Sequence, residues 1–226
     1  MTLATELAQN LSAHADTFIW DLPTDDVQAA VDRDEVLLKD LANRSHGGCL
    51  VRLWSCSRAL VVPRHLSRRP LFATARQHCN LTLAIRSSGG TVVLHGPEFI
   101  NLTVMTAHRT DHGIDVDRLY SAFGAILFPS LARMGITAGF EEVCQAYCSG
   151  RHDVAVAGRK LAGTAAIVRR IGGVQAQLVH AVLRLSPVDG EIAMISAFEQ
   201  AMGLNPSYDP AFLTSLAQER LAVSVA

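Results

Sequence analysis

Segments with strand character and segments with helix character do not alternate along this chain, and their order restricts the fold more than any single residue does. After Asp25-Asp26, the apolar residues Val31, Val36, Leu37, Leu38 and Leu41 fall on one helical stripe, which predicts a first core helix over Val27 to Arg44. Three short strands follow, Cys49 to Trp54, Ala59 to Val62 and Leu81 to Ile85. The first two are expected to form a hairpin around Ser55-Cys56-Ser57, and a short helix from Pro70 to about His78 precedes the third. Strands resume at Thr91 to His95 and Phe99 to Met105, joined by Gly96-Pro97. The longest helical pattern, Val116 to Met134, closes at Gly135. Beyond it, Ala157-Gly158 reads as a tight turn before a strand from Arg159 to Arg169, and Val174 to Leu185 alternates as a long strand. Ile192 to Met202 and Pro210 to Leu221 end the chain as helices. This order predicts an α+β fold with a mixed, largely antiparallel central sheet flanked by helices, and excludes a doubly wound parallel sheet.

A chain of 226 residues, 49% of them hydrophobic, can bury a full core without disulfides or a structural metal. A single domain is expected over residues 1–226, with its core at about 27–190 and C-terminal helices at 191–222. The five cysteines (Cys49, Cys56, Cys79, Cys144 and Cys148) form no C-x-x-C pair, so neither a zinc site nor a disulfide framework follows. Met1 to Leu22 lacks the basic start and apolar core of a signal peptide, and Pro129 and Arg133 break the apolar stretch Leu119 to Phe140. A cytoplasmic location without membrane association is the expectation.

The formal net charge of −1 conceals an asymmetry. Residues 1–40 carry nine acids against Arg33 and Lys39, whereas residues 41–97 carry eight arginines and no acid. Either the acidic arm covers the basic block, or the block serves an anion or an acidic partner. Nucleic acid fits poorly, because the aromatic content is 6% and no long basic stripe is present.

Two constellations carry chemistry. Arg86-Ser87-Ser88-Gly89-Gly90-Thr91 leaves a strand with small residues whose backbone N–H groups can converge on an anion, although a tight turn that needs glycine for its dihedrals alone has the same sequence. Gly150-Arg151-His152-Asp153 precedes Gly158-Arg159-Lys160-Leu161-Ala162-Gly163-Thr164-Ala165. Arg159 and Lys160 are neighbours on a strand and point to opposite faces, so one of them faces the interior. Only two of the twenty basic residues are lysines, which singles out Lys160 as a compact, movable charge on the inner face.

Together the two constellations resemble the lipoate-protein ligase A family, within the biotin/lipoate protein ligase group. The resemblance rests on Arg86, Ser88-Gly89-Gly90-Thr91, Val93, His95, Asn101-Leu102, Gly150-Arg151, Asp153-Val154 and Gly158 to Ala165, and covers about Asp34 to Leu185. It implies a catalytic domain of class II aminoacyl-tRNA-synthetase-like type, without a C-terminal accessory domain. The implied reaction activates lipoate or octanoate with ATP and Mg2+ to an acyl-adenylate and passes the acyl group to a lysine of a lipoyl carrier domain. That carrier belongs to a 2-oxoacid dehydrogenase or is a glycine cleavage protein, and a separate accessory ligase subunit is a further partner. By the resemblance, Lys160 bridges the acyl carbonyl and the α-phosphate. Arg86, Ser88, Gly89, Gly90 and Thr91 cradle the carboxylate and phosphates. His95, Asn101, Gly163, Thr164 and His180 line the pocket, and Asp153 orients the adenylate or a magnesium ion.

Two other readings stand beside this one. In an ATP-independent octanoyl- or lipoyl-transferase, Cys148 is the nucleophile, with Arg151 three residues beyond as its cationic neighbour. A non-catalytic protein would bind lipoate or a lipoyl domain in the same pocket. In all three readings the basic block, with Arg169-Arg170, is a candidate docking face for the carrier.

Overall fold

The computed structural model describes residues 2–44, 47–109 and 113–225. Its seven-stranded sheet runs β1 (Thr17–Trp20), β2 (Gly48–Trp54), β6 (Phe99–Arg109), β10 (Val174–Arg184), β9 (Arg159–Ile171), β8 (Val154–Val156) and β7 (Gly139–Phe140). Every pairing in it is antiparallel except β1 with β2. A second sheet holds β3 (Ala59–Pro63) between parallel β4 (Thr82–Arg86) and antiparallel β5 (Val93–His95). The expected α+β class with a largely antiparallel sheet is the one observed.

The hairpin expected between β2 and β3 does not form, because the two strands belong to different sheets. The backbone around Ser55-Cys56-Ser57 bonds to Thr24 instead, which turns the chain out of the large sheet and into the small one. Two tight turns do form. Ala157 and Gly158 both have positive φ, as a two-residue turn between twisted strands requires, and so do Gly172 and Gly173 between β9 and β10.

Helix α2 (Val27–Ala42) starts where Asp26 caps it, the carboxylate accepting from the N–H of Ala29. It is not the first core helix. Helix α1 (Leu3–Ser12) precedes it and buries Leu7 and Leu11 against α5 (Val116–Arg133). A one-turn helix α3 (Arg64–Ser67) precedes α4 (Phe72–Gln77), and α6 (Glu191–Ala201) and α7 (Leu216–Val225) close the chain. Pro210–Phe212, expected to open the last helix, is a separate 3-10 turn. The segment beyond it runs along β9, where Leu213 pairs with Lys160 and the N–H of Thr214 donates to the Lys160 carbonyl at 2.9 Å. No helix among the described residues is long and apolar enough to cross a membrane.

The acidic arm neutralises only part of the basic block. Arg52, buried, pairs with Asp21 at 2.7 Å and Asp34 at 2.6 Å. Among the described residues it is the only arginine of residues 41–97 in an ion pair with the arm.

Candidate active site

A pocket lies where the two sheets meet α2. Val31 of α2, Trp54, Val61, Val93, Ile167 and Val182 give it apolar walls. Of the residues singled out in the sequence, Arg86, His95, Asn101, Cys148, Gly163, Thr164 and His180 face it.

Pro63 of β3 registers with Arg86 of β4, so the small sheet delivers Arg86 to the start of the glycine loop. The guanidinium turns into that loop. It donates to the carbonyls of Val61 at 2.8 Å, Gly89 at 2.8 Å and Thr91 at 2.6 Å, so most of its hydrogens hold backbone in place. Burial lowers the Arg86 pKa, and the sulfur of Cys148 beside it partly offsets that shift.

The loop receives a thiol. The Thr91 N–H donates to Cys148 Sγ at 3.2 Å, and Arg86 Nη2 stands 4.0 Å from the same sulfur. Gly90 has φ +94°, and a Cβ there would lie 2.7 Å from Sγ. Glycine is therefore required twice, for its dihedral and for the sulfur. Cys148 itself is held at φ +48°, a conformation that L residues seldom adopt outside strained or functional sites. Arg151, the cation expected beside this thiol, turns away to pair with Asp117 on α5. Arg86 takes its place.

Lys160 is buried behind the cysteine, as expected for the inward position, while half-buried Arg159 pairs with Glu219. Lys160 Nζ donates to the carbonyls of Tyr147 at 2.9 Å and Cys148 at 2.6 Å, and lies 2.9 Å from Asp153 Oδ1. Gly163 leaves room for it, since a Cβ there would sit 3.3 Å from Lys160 Cε. Asp153 is buried and its second oxygen accepts from the N–H of Gly150 at 3.1 Å. Burial pushes its pKa above the ordinary carboxylate value, and the Lys160 ammonium opposes the shift. Both Asp153 oxygens are engaged, one by Lys160 and one by the Gly150 N–H, and no group of three His, Cys, Asp or Glu side chains among the described residues is arranged to hold a metal.

A third arrangement was not foreseen in full. His180 Nε2 shares a hydrogen with Ser88 Oγ at 2.9 Å, and its Nδ1 faces Asp34 Oδ2 at 3.9 Å. Asp34 also accepts from Thr103 Oγ1 at 2.8 Å, so a buried chain of polar contacts runs from Arg52 to the glycine loop. Asp34 lies on the inward stripe of its helix, three residues after Val31 and four before Leu38, and that register is the signal that separates it from its solvated acidic neighbours. His95 is buried with Nδ1 unpartnered, and Asn101 Nδ2 donates to the Trp54 carbonyl at 3.3 Å. Burial, reinforced by Arg86 and His180, pushes the His95 pKa down to about 3. Thr164 Oγ1 ties β9 to the cysteine-bearing segment by donating to the His152 carbonyl at 2.7 Å.

Residues 26–199 match the model of the lipoyl protein ligase A/B catalytic domain. An uncharacterised protein of Cupriavidus necator is 32% identical over 208 residues, which cover 84% of this chain and 81% of that one. An octanoyl-[GcvH]:protein N-octanoyltransferase of Kyrpidia tusciae is 30% identical over 145 residues, 61% of this chain, and the chain spans about half (48%) of that relative's length. Among solved structures, a lipoate-protein ligase A bound with ATP superposes with a TM-score of 0.60 at 16% identity, covering 92% of this chain and 81% of that one. A bi-partite lipoate protein ligase from Thermoplasma acidophilum gives 0.59 at 16% identity, covering 94% and 82%. At these identities the two structures establish the fold.

Proposed function

Because the chain belongs to the lipoyl protein ligase A/B catalytic domain family, we propose that it is an acyltransferase that carries an octanoyl or lipoyl group on the Cys148 thiol and delivers it to a lysine of a lipoyl carrier domain. The Thr91 N–H given to Cys148 Sγ at 3.2 Å is the observation that carries this reading. The loop that would otherwise offer that N–H to a phosphate or carboxylate holds a thiol, with the Arg86 guanidinium 4.0 Å from its sulfur. Negative charge on sulfur is met there by a fixed dipole and a fixed cation. In the first half-reaction the sulfur attacks the acyl carbonyl, and the carrier lysine leaves as its amine. In the second, an acceptor lysine attacks the thioester and the thiol is restored. The octanoyl relatives are consistent with this use of the site.

The cavity supplies the binding energy. Each methylene moved from water into apolar walls contributes about 0.8 kcal/mol, so the six methylenes of an octanoyl group gain about 5 kcal/mol before ordering costs. Lys160 acts from behind by holding the carbonyl of Cys148, and so the direction of its sulfur. Intact-mass analysis after incubation with an octanoylated carrier tests the proposal: an octanoyl adduct forms on the wild type and is absent from Cys148→Ala.

The second reading is ATP-dependent activation. It is favoured by the fold shared with an ATP-bound ligase and by the buried Lys160, which would bridge the acyl carbonyl and the α-phosphate. In that case a separate accessory subunit is a natural partner, as in the bi-partite ligase. Lipoate-dependent exchange of pyrophosphate into ATP separates the two readings.

A further inference from the structure

The eight arginines of residues 41–97 part company in the folded chain. Arg52 and Arg86 are buried, Arg58 pairs with Glu98, and Arg44 donates to Thr17 Oγ1 at 3.1 Å. The remaining four, Arg64, Arg68, Arg69 and Arg76, are exposed on α3, α4 and the turn between them. None of these four has a carboxylate within ion-pair distance among the described residues. Arg169, expected with Arg170 to extend the docking face, already stands 3.6 Å from Glu35.

This face is rigid and has an apolar centre. Leu66 and Ala75 anchor the two short helices in the core, and Phe72 packs edge-on against Phe198 of α6. Between the helices Leu71 is 47% exposed, next to exposed Pro70, with exposed Arg68 and Arg69 just before it in the chain and exposed Arg76 five residues after it. An apolar spot with an arginine surround is how protein interfaces are commonly built. The face also lies beside the site. Arg64 follows Pro63, the residue that registers with Arg86 at the head of the loop holding Cys148.

We propose that the α3–α4 face docks the acyl-carrier domain, and that this partner presents an acidic surface around its acylated lysine. The inference rests on the reading in which Cys148 exchanges acyl groups with a carrier lysine. Four neighbouring cations without a single acid repel one another, and an acidic partner relieves that repulsion as it covers Leu71. The short reach from Arg64 to the glycine loop places a docked carrier so that its lysine arm enters the cavity.

The test uses Cys148→Ala protein and an octanoylated lipoyl domain of negative net charge as the probe, with binding measured by calorimetry. Combined Arg68→Glu, Arg69→Glu and Arg76→Glu substitutions are expected to weaken binding by about tenfold or more at low salt, and the corresponding glutamine variant by less. The glutamine variant also decides the question if the glutamate one fails to fold. A lipoyl domain with its surface acids changed to lysine should bind the reversed variant better than the parent. Carrier binding within twofold of the parent in both variants, or no binding by the parent, overturns the proposal. Labelling of Cys148 by a small octanoyl thioester is measured separately on the cysteine-containing proteins. Its absence in the parent counts against the transferase reading, while the binding measurement still decides the docking face.

Discussion

Lys160 donates from Nζ to the main-chain carbonyl of Cys148 at 2.6 Å, across twelve residues of sequence. Together with its bond to the Tyr147 carbonyl and its ion pair with Asp153, this contact occupies all three ammonium hydrogens. The lysine thus fixes the left-handed turn at which Cys148 sits. The far side of the clamp is fixed as well, because Arg184 Nη1 and the Thr214 N–H both donate to the Lys160 carbonyl.

Lys160→Arg is expected to retain the fold and lose acyl transfer. The longer, planar side chain meets Gly163, whose Cβ position lies only 3.3 Å from Lys160 Cε, and cannot keep all three contacts. A shift of the sulfur by about 1 Å costs on the order of 100-fold in rate. Single-turnover labelling of Cys148 reads the loss, and the thermal melt reads the fold.

Gly90→Ala places a methyl 2.7 Å from Cys148 Sγ at φ +94°. The expected result is a stability loss of more than about 1 kcal/mol in denaturant unfolding, together with loss of Cys148 labelling. Adding Cys148→Ala removes the sulfur clash and leaves the dihedral strain, so the double variant recovers part of the stability and not all of it.

Stability should fall in acid through His95. Its folded pKa of about 3 lies below the unfolded value of 6.5, so between those limits the unfolded chain binds the extra proton. The contribution is therefore complete above pH 6.5 and is lost as pH falls towards 3, at up to about 1.4 kcal/mol per pH unit. His95→Gln is expected to flatten this part of the stability profile, and an unchanged slope in that variant would remove His95 from the account.

Arg52→Met leaves the Asp34 carboxylate buried with the Thr103 hydroxyl and no cation at bonding distance. The expected cost is about 3–5 kcal/mol. Replacing both partners, Arg52→Met with Asp34→Leu, should recover most of it, because the penalty belongs to the unpaired charge. Chemical denaturation of the three variants checks the cycle.

The inward Lys160, the glycine loop and the turn at Ala157-Gly158 were legible because each is a local pattern: strand alternation, small residues in a row, a dipeptide between apolar runs. The parting of β2 from β3 was not, since it depends on Thr24, which lies in another segment and takes the backbone bonds a hairpin would have used. The same limit explains the cation beside Cys148. Sequence distance favoured Arg151, three residues away, whereas the fold brings Arg86 from sixty-two residues away and sends Arg151 to Asp117. His180 of β10 reaches Ser88 on one side and faces Asp34 of α2 on the other, contacts that no local spacing encodes.

The proposed reaction places the acyl group on the Cys148 thiol. Incubation of the protein with an octanoylated lipoyl carrier, without ATP, followed by acid quench and intact-mass analysis, tests it most directly. One octanoyl adduct is expected, cleaved by neutral hydroxylamine and absent from Cys148→Ala. No adduct on the wild type, with octanoylation of an unmodified carrier appearing only when ATP and free octanoate are supplied, would overturn it.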